Sequence, residues 1–117
     1  MPDKALSELT DLVLKFRDER DWKQFHNPKD QALSLCLEAA ELLEVMQWRN
    51  GAELDKHLAA NRDRLGEELS DVLGWVLLLA HDQQIDLAAA FERKIRINCD
   101  KYPTEKAKGV ATKYTEL

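Results

Sequence analysis

With 117 residues the chain has room for one domain with a modest core and too few for two ordinary ones, so a single domain over 1–117 is expected. Gly and Pro are scarce, at 4 and 3, and a third of the residues are charged, a bias toward helices. The net charge of -5 excludes a sequence-independent nucleic-acid binder, and the lack of any 18-residue apolar run excludes a helical membrane span, so neither a nucleic-acid polymer nor a membrane is expected as a partner.

The first helix is predicted over 4–20, where Leu6, Leu9, Leu12, Val13 and Phe16 form an apolar stripe. Asp3, Lys4, Glu8 and Asp11 interrupt it, so it does not read as a secretory signal. Asp21 to His26 reads as a connector. Asn27 as N-cap, Pro28 at the first helical position and Asp30 in the first turn then open a second helix. It is expected to run to Arg49 and stop at Asn50-Gly51. Cys36 lies within its apolar run and is expected as a buried free thiol. Two cysteines without metal-type spacing fit a reducing, cytoplasmic setting.

Residues 52–61 read as a short helix or a charged loop. A third helix is predicted from Arg62 to His81, and its second half (Val72 through Leu79) is so apolar that it should be buried on every side. A small monomer can hardly surround such a segment, which points to an oligomer. Asp86 should cap a fourth helix through Leu87, Ala90, Phe91, Ile95 and Ile97, closed by Pro103. The tail, 104–117, is expected to be either mobile or ordered by a partner or ligand. The fold class is all-α, a four-helix bundle-like protomer completed by dimerisation.

Two stretches thirty positions apart repeat one pattern. In Leu35-x-x-Glu38-x-x-Glu41-Leu42-x-x-Val45 and Leu65-x-x-Glu68-x-x-Asp71-Val72-x-x-Trp75, a carboxylate stands where a helix usually places a core aliphatic residue. An unpaired carboxylate there costs several kcal/mol, roughly, so a shared cation is the expected compensation. Residues i and i+3 lie on one helix face, which makes Glu38/Glu41 and Glu68/Asp71 two pairs of oxygen donors. Oxygen-only donors suit Mg²⁺ or Mn²⁺. Four negative charges exceed what one ion neutralises, so more than one ion with bridging phosphates is expected.

Plainer readings compete. A lone Glu-x-x-Glu is usually solvated surface charge, and Glu44 and Glu67, off the apolar arc, read that way. A di-iron bundle needs Glu-x-x-His pairs, and no Glu here has His three residues on. His81-Asp82 lacks companion histidines and reads as a polar helix end. Ser7, Ser34 and Ser70 lie in no nucleophile motif, and no Gly-rich phosphate loop occurs. The expected nucleophile is a metal-activated water. A non-catalytic helical interaction module with a vestigial metal site is the alternative.

Glu38-x-x-Glu41, 26 intervening residues and Glu68-x-x-Asp71 resemble the signature of the all-α, MazG-like nucleoside triphosphate pyrophosphohydrolases. Arg20 to His26, Gln47-Trp48 and the ending Lys113-Tyr114-Thr115-Glu116-Leu117 resemble the dCTP pyrophosphatase branch. The resemblance implies Mg²⁺-dependent hydrolysis of a (deoxy)nucleoside triphosphate, dCTP or a modified dCTP foremost, to the monophosphate and pyrophosphate. It implies Glu38, Glu41, Glu68 and Asp71 as metal ligands, with Glu38 or Glu41 also the base for water. It assigns the nucleoside pocket to Trp22, Lys23, Gln24, Phe25, His26 and Trp48. Trp75 stands where similar proteins carry Tyr. Lys94, Asn98 and Tyr102, at i, i+4 and i+8, resemble a phosphate- and sugar-contacting face. The family forms dimers and often tetramers built of two dimers, so a homotetramer is expected.

Overall fold

A computed structural model describes residues 4–117. It contains helices and no strand among those residues: α1 (Leu6–Glu19), a 3₁₀ turn (Lys23–Phe25), α2 (Pro28–Met46), α3 (Gly51–Ala60), α4 (Arg62–Asp82), α5 (Leu87–Lys101), α6 (Thr104–Ala107) and a final 3₁₀ turn (Tyr114–Glu116). None of these helices is long and apolar enough to cross a membrane. The chain divides into two compact units, one ending at Gln84 and one running from Ile85 to Leu117.

In the first unit α2 packs most extensively on α4, α1 lies against α4, and α3 touches both α2 and α4. Gln31 near the start of α2 bonds Asp82 at the end of α4, so these two long helices run antiparallel. Among the described residues, Val45 of α2 and Leu77, Leu78 and Ala80 of α4 are the buried apolar ones. The second half of α4 is therefore less enclosed than its sequence implies. Its neighbours cover only part of its circumference: Leu73 stays 38% exposed, and Leu69, one turn before it, 50%. Cys36 is exposed as well, on a side of α2 that also exposes Leu33 and Leu37, so its apolar surroundings in sequence do not bury it.

Helix starts follow their caps. The Asn27 side chain accepts from the Asp30 backbone N–H at 2.9 Å, and the Asp86 side chain accepts from Ala89 at 3.1 Å. One helix end differs from expectation, that of α2. α1, α2 and α4 each stop two residues before a left-handed residue, Asp21 (φ 53°), Trp48 (φ 69°) and Gln84 (φ 57°). Each serves as the left-handed cap position usually given to glycine. Consequently α2 ends at Met46, not Arg49, and Asn50-Gly51 opens α3 instead of closing α2, with Gly51 at φ 56°.

In the second unit Pro103 ends α5 at Lys101 as expected. The tail carries structure of its own. Tyr114 meets Tyr102 edge-to-face at 5.8 Å, and the Lys101 ammonium lies 4.8 Å from the centre of the Tyr114 ring.

Candidate active site

Helical spacing puts Glu38 and Glu41 one turn apart on α2, and Glu68 and Asp71 one turn apart on α4. The antiparallel packing of the two helices brings the pairs together. One carboxylate oxygen from each of the four residues lies within 4.8 Å of the others. Opposite ligands of an octahedral Mg²⁺ are about 4.2 Å apart, so the four oxygens sit within a small adjustment of ion-binding distance.

Glu38 and Glu68 are half-buried, Glu41 and Asp71 exposed. Glu38 Oε2 and Glu68 Oε2 are shut off from solvent without any hydrogen-bond donor, an arrangement that costs free energy unless a cation meets those oxygens. Burial, then the neighbouring Glu41 carboxyl, then Asp71 and Glu68, push the Glu38 pKa up. Burial, then Glu41 and Asp71, do the same for Glu68, with Arg64 opposing. The chemistry of the donor set therefore fits a hard divalent cation: all oxygen, all anionic, two atoms orphaned and the anionic forms disfavoured by their own crowding.

Beside this cluster a cleft of about 250 Å³ opens between α1, the connector and α4. Asp71 and Ser70 belong to its wall, joined by Val13, Phe16, Arg17, Trp22, His26, Gly74, Trp75 and Leu78. Trp22 packs edge-to-face on Phe16 at 5.6 Å, and the His26 ring lies 5.1 Å from that of Trp75. Of the residues expected around a nucleoside, Trp22, His26 and Trp75 thus converge next to the carboxylates.

The other candidates of the first unit do not line this cleft. Phe25 is 66% exposed and Trp48 88%. Gln24 bonds back to the Asp21 carbonyl and carboxylate, both at 2.9 Å. Lys23 lines a second, more polar cleft with His26, Gln31, His81 and Asp82. Lys94, Asn98 and Tyr102 belong to the second unit, where Asn98 is half-buried on α5 and Tyr102 follows its last turn.

Behind the cleft lies a polar group that sequence reasoning missed. Arg17 is 2% exposed, and its guanidinium grips Asp82 with two bonds, Nη1 to Oδ2 at 2.7 Å and Nη2 to Oδ1 at 3.0 Å. Gln31, 1% exposed, donates from Nε2 to the same Oδ2 at 2.7 Å. Arg17 Nη1 also reaches His26 Nδ1 at 3.3 Å. Asp82 is held below the usual carboxylate range, chiefly by the Arg17 hydrogen bonds and against the effect of burial, with Gln31 helping. The His26 pKa is lowered by burial first and then by the Arg17 charge, with Asp82 opposing. Asp82 is therefore an anchor, not merely a polar helix end.

Fold and site together define an all-helical protein with a four-carboxylate centre beside an aromatic cleft, a class suited to acting on phosphorylated, ring-bearing molecules. The sequence profile of the MazG-like family matches residues 33–117, and the chain belongs to that family. It is 40% identical to dCTP pyrophosphatase 1 of Homo sapiens and 39% identical to that of Rattus norvegicus, each match spanning 118 aligned positions, 99% of this chain and 69% of the relative. It also resembles the crystal structure of a pyrophosphatase from Archaeoglobus fulgidus, with a TM-score of 0.79 and 36% identity over 88% of this chain and 96% of the other.

Proposed function

We propose that this chain is a nucleoside triphosphate pyrophosphohydrolase that converts dCTP, or a dCTP modified on its base, to the monophosphate and pyrophosphate. The observation that carries the reading is the convergence of Glu38, Glu41, Glu68 and Asp71 beside a cleft walled by Trp22, His26 and Trp75. The curated relatives, named as dCTP pyrophosphatases, support the choice of base.

Glu38, Glu41, Glu68 and Asp71 would hold Mg²⁺, with Mn²⁺ as a substitute and more than one ion per site. When bound, such ions supply positive charge to phosphate oxygens and make water more acidic. Glu38 and Glu68 then lose the mutual repulsion that raises their pKa values, and their orphaned oxygens gain a partner. Glu38 or Glu41 orients the attacking water and accepts its proton. Trp22 and Trp75 offer π-faces to the base, and His26 offers a polar edge. Asp71, shared by the carboxylate cluster and the cleft wall, fixes the triphosphate end relative to the base end.

Lys94, Asn98 and Tyr102 are proposed contacts for phosphate and sugar, and Lys23, Gln24, Phe25 and Trp48 for the nucleoside. We place the active form in a homo-oligomer, a dimer of dimers in the cytoplasm. Support for the assembly comes from Leu33, Leu37 and Leu43 on α2 and Leu69 on α4, all at least half exposed in the single chain. The test is a panel of ribo- and deoxynucleoside triphosphates with Mg²⁺, with products separated by chromatography. The expected products are dCMP and pyrophosphate. Release of orthophosphate and the diphosphate instead would refute the assigned bond.

A further inference from the structure

Arg17, Asp82 and Gln31 do more than join the ends of α1, α2 and α4. A guanidinium has donors and no acceptor. Arg17 Nη1 carries two hydrogens; one serves Asp82 Oδ2 at 2.7 Å, and the other faces His26 Nδ1 at 3.3 Å. Nδ1 can meet that N–H only with its lone pair. The single proton of a neutral imidazole must then sit on Nε2.

Arg17 is in turn immobile. It is 2% exposed, and Asp82 holds it through both terminal nitrogens while Gln31 holds Asp82. Trp75 flanks the imidazole ring at 5.1 Å. His26 lines the cleft in this fixed state.

We propose that the buried Arg17–Asp82–Gln31 group is a positioning device that locks His26 as the Nε2–H tautomer, making it a dedicated hydrogen-bond donor to an acceptor on the substrate's base. A base edge with a carbonyl oxygen or an unprotonated ring nitrogen, as cytosine presents, is the acceptor such a donor meets. The proposal rests on the nucleotide reading of the cleft, but the tautomer itself does not depend on turnover. Arg17, Asp82 and Gln31 act through His26 and are positioning residues, not catalytic ones.

The test has two readouts. Long-range ¹H–¹⁵N correlation spectra of the ¹⁵N-labelled 117-residue chain without nucleotide should show His26 protonated at Nε2 alone. The variant Arg17→Met/Asp82→Asn removes the donor and both buried charges, while the new side chain at 82 keeps an acceptor for Gln31. It should show a mixture of tautomers, and KM for dCTP should rise about tenfold, the worth of one hydrogen bond, with kcat within about twofold. A wild-type spectrum with the proton on Nδ1 overturns the proposal whether or not the variant folds. So does an unchanged KM in a folded variant. If the wild type hydrolysed no nucleotide at all, the functional reading would fail, while the spectrum would still decide the tautomer.

Discussion

Glu38 and Glu68 each hold a carboxylate oxygen away from water with no donor to meet it. Their raised pKa values give the sign of a pH effect. A carboxyl whose folded pKa is raised contributes stability that is fully present below its unfolded value, about 4.3, and lost as pH rises through the folded value. Without divalent cations the protein should therefore melt at a lower temperature at pH 7.5 than at pH 5, as far as these groups decide it. Saturating Mg²⁺ should reverse that trend and raise Tm by about 10 °C at a hundred times Kd. Glu38→Gln should flatten the pH dependence and weaken the Mg²⁺ response. Scanning calorimetry of both proteins checks this, and an equal Mg²⁺ response in the variant would contradict the assignment of Glu38 as a ligand. Arg17 makes a different case, a buried charge whose two terminal nitrogens are both met by Asp82 while its Nε has no hydrogen-bond partner. Asp82→Ala leaves it unpaired and should cost about 3–5 kcal/mol in urea unfolding; a loss under about 1 kcal/mol would mean the ion pair contributes little.

At the scale of the helices, the apolar stripe is the signal that locates the site, and it extends beyond the four carboxylates. Glu38 lies on the row Gln31, Leu35, Glu38, Leu42, Val45, and Glu68 on the row Glu68, Val72, Trp75, Leu79, Asp82. Gln31 and Asp82 are the ends of those rows, and the structure joins them at 2.7 Å. Arg17, four residues after Val13 on the α1 stripe, is likewise a polar residue in an apolar row. The starts of α2 and α5 were legible because Asn27 and Asp86 cap them with their own side chains. The end of α2 was not, because Trp48 takes a left-handed conformation that sequence normally signals with glycine. Trp48 pairs that strained backbone with a ring 88% exposed, a combination stability alone does not explain. Trp48→Gly should stabilise the fold by about 1 kcal/mol in chemical denaturation. It should also raise KM for the nucleotide about tenfold, as expected for a lost stacking partner. Unchanged KM would remove Trp48 from the nucleoside site.

For the molecule as a whole, the apolar surface is larger than a single chain can hide. Val45, Leu77, Leu78 and Ala80 are buried, while Leu33, Leu37, Leu43 and Leu69 are half exposed or more. Sequence composition pointed to this for α4, where continuous apolarity implied more neighbours than one small chain supplies. It did not reveal that α2 exposes as much. Light scattering at micromolar concentration should give four times the 13.5 kDa chain mass, or twice it if the dimer is the stable unit. A 13.5 kDa species that stays folded on dilution would contradict the assembly.

The joint claim of site and fold is that four carboxylates from two antiparallel helices make one metal-dependent hydrolytic centre. Pyrophosphate release from dCTP, measured with and without Mg²⁺ for the wild type and for Glu38→Gln, tests it most directly. Release is expected from the wild type only when Mg²⁺ is present, with a loss of more than about a hundredfold in the variant, roughly 3 kcal/mol of transition-state stabilisation. Release without any divalent cation, or a Glu38→Gln rate equal to that of the wild type, would contradict it.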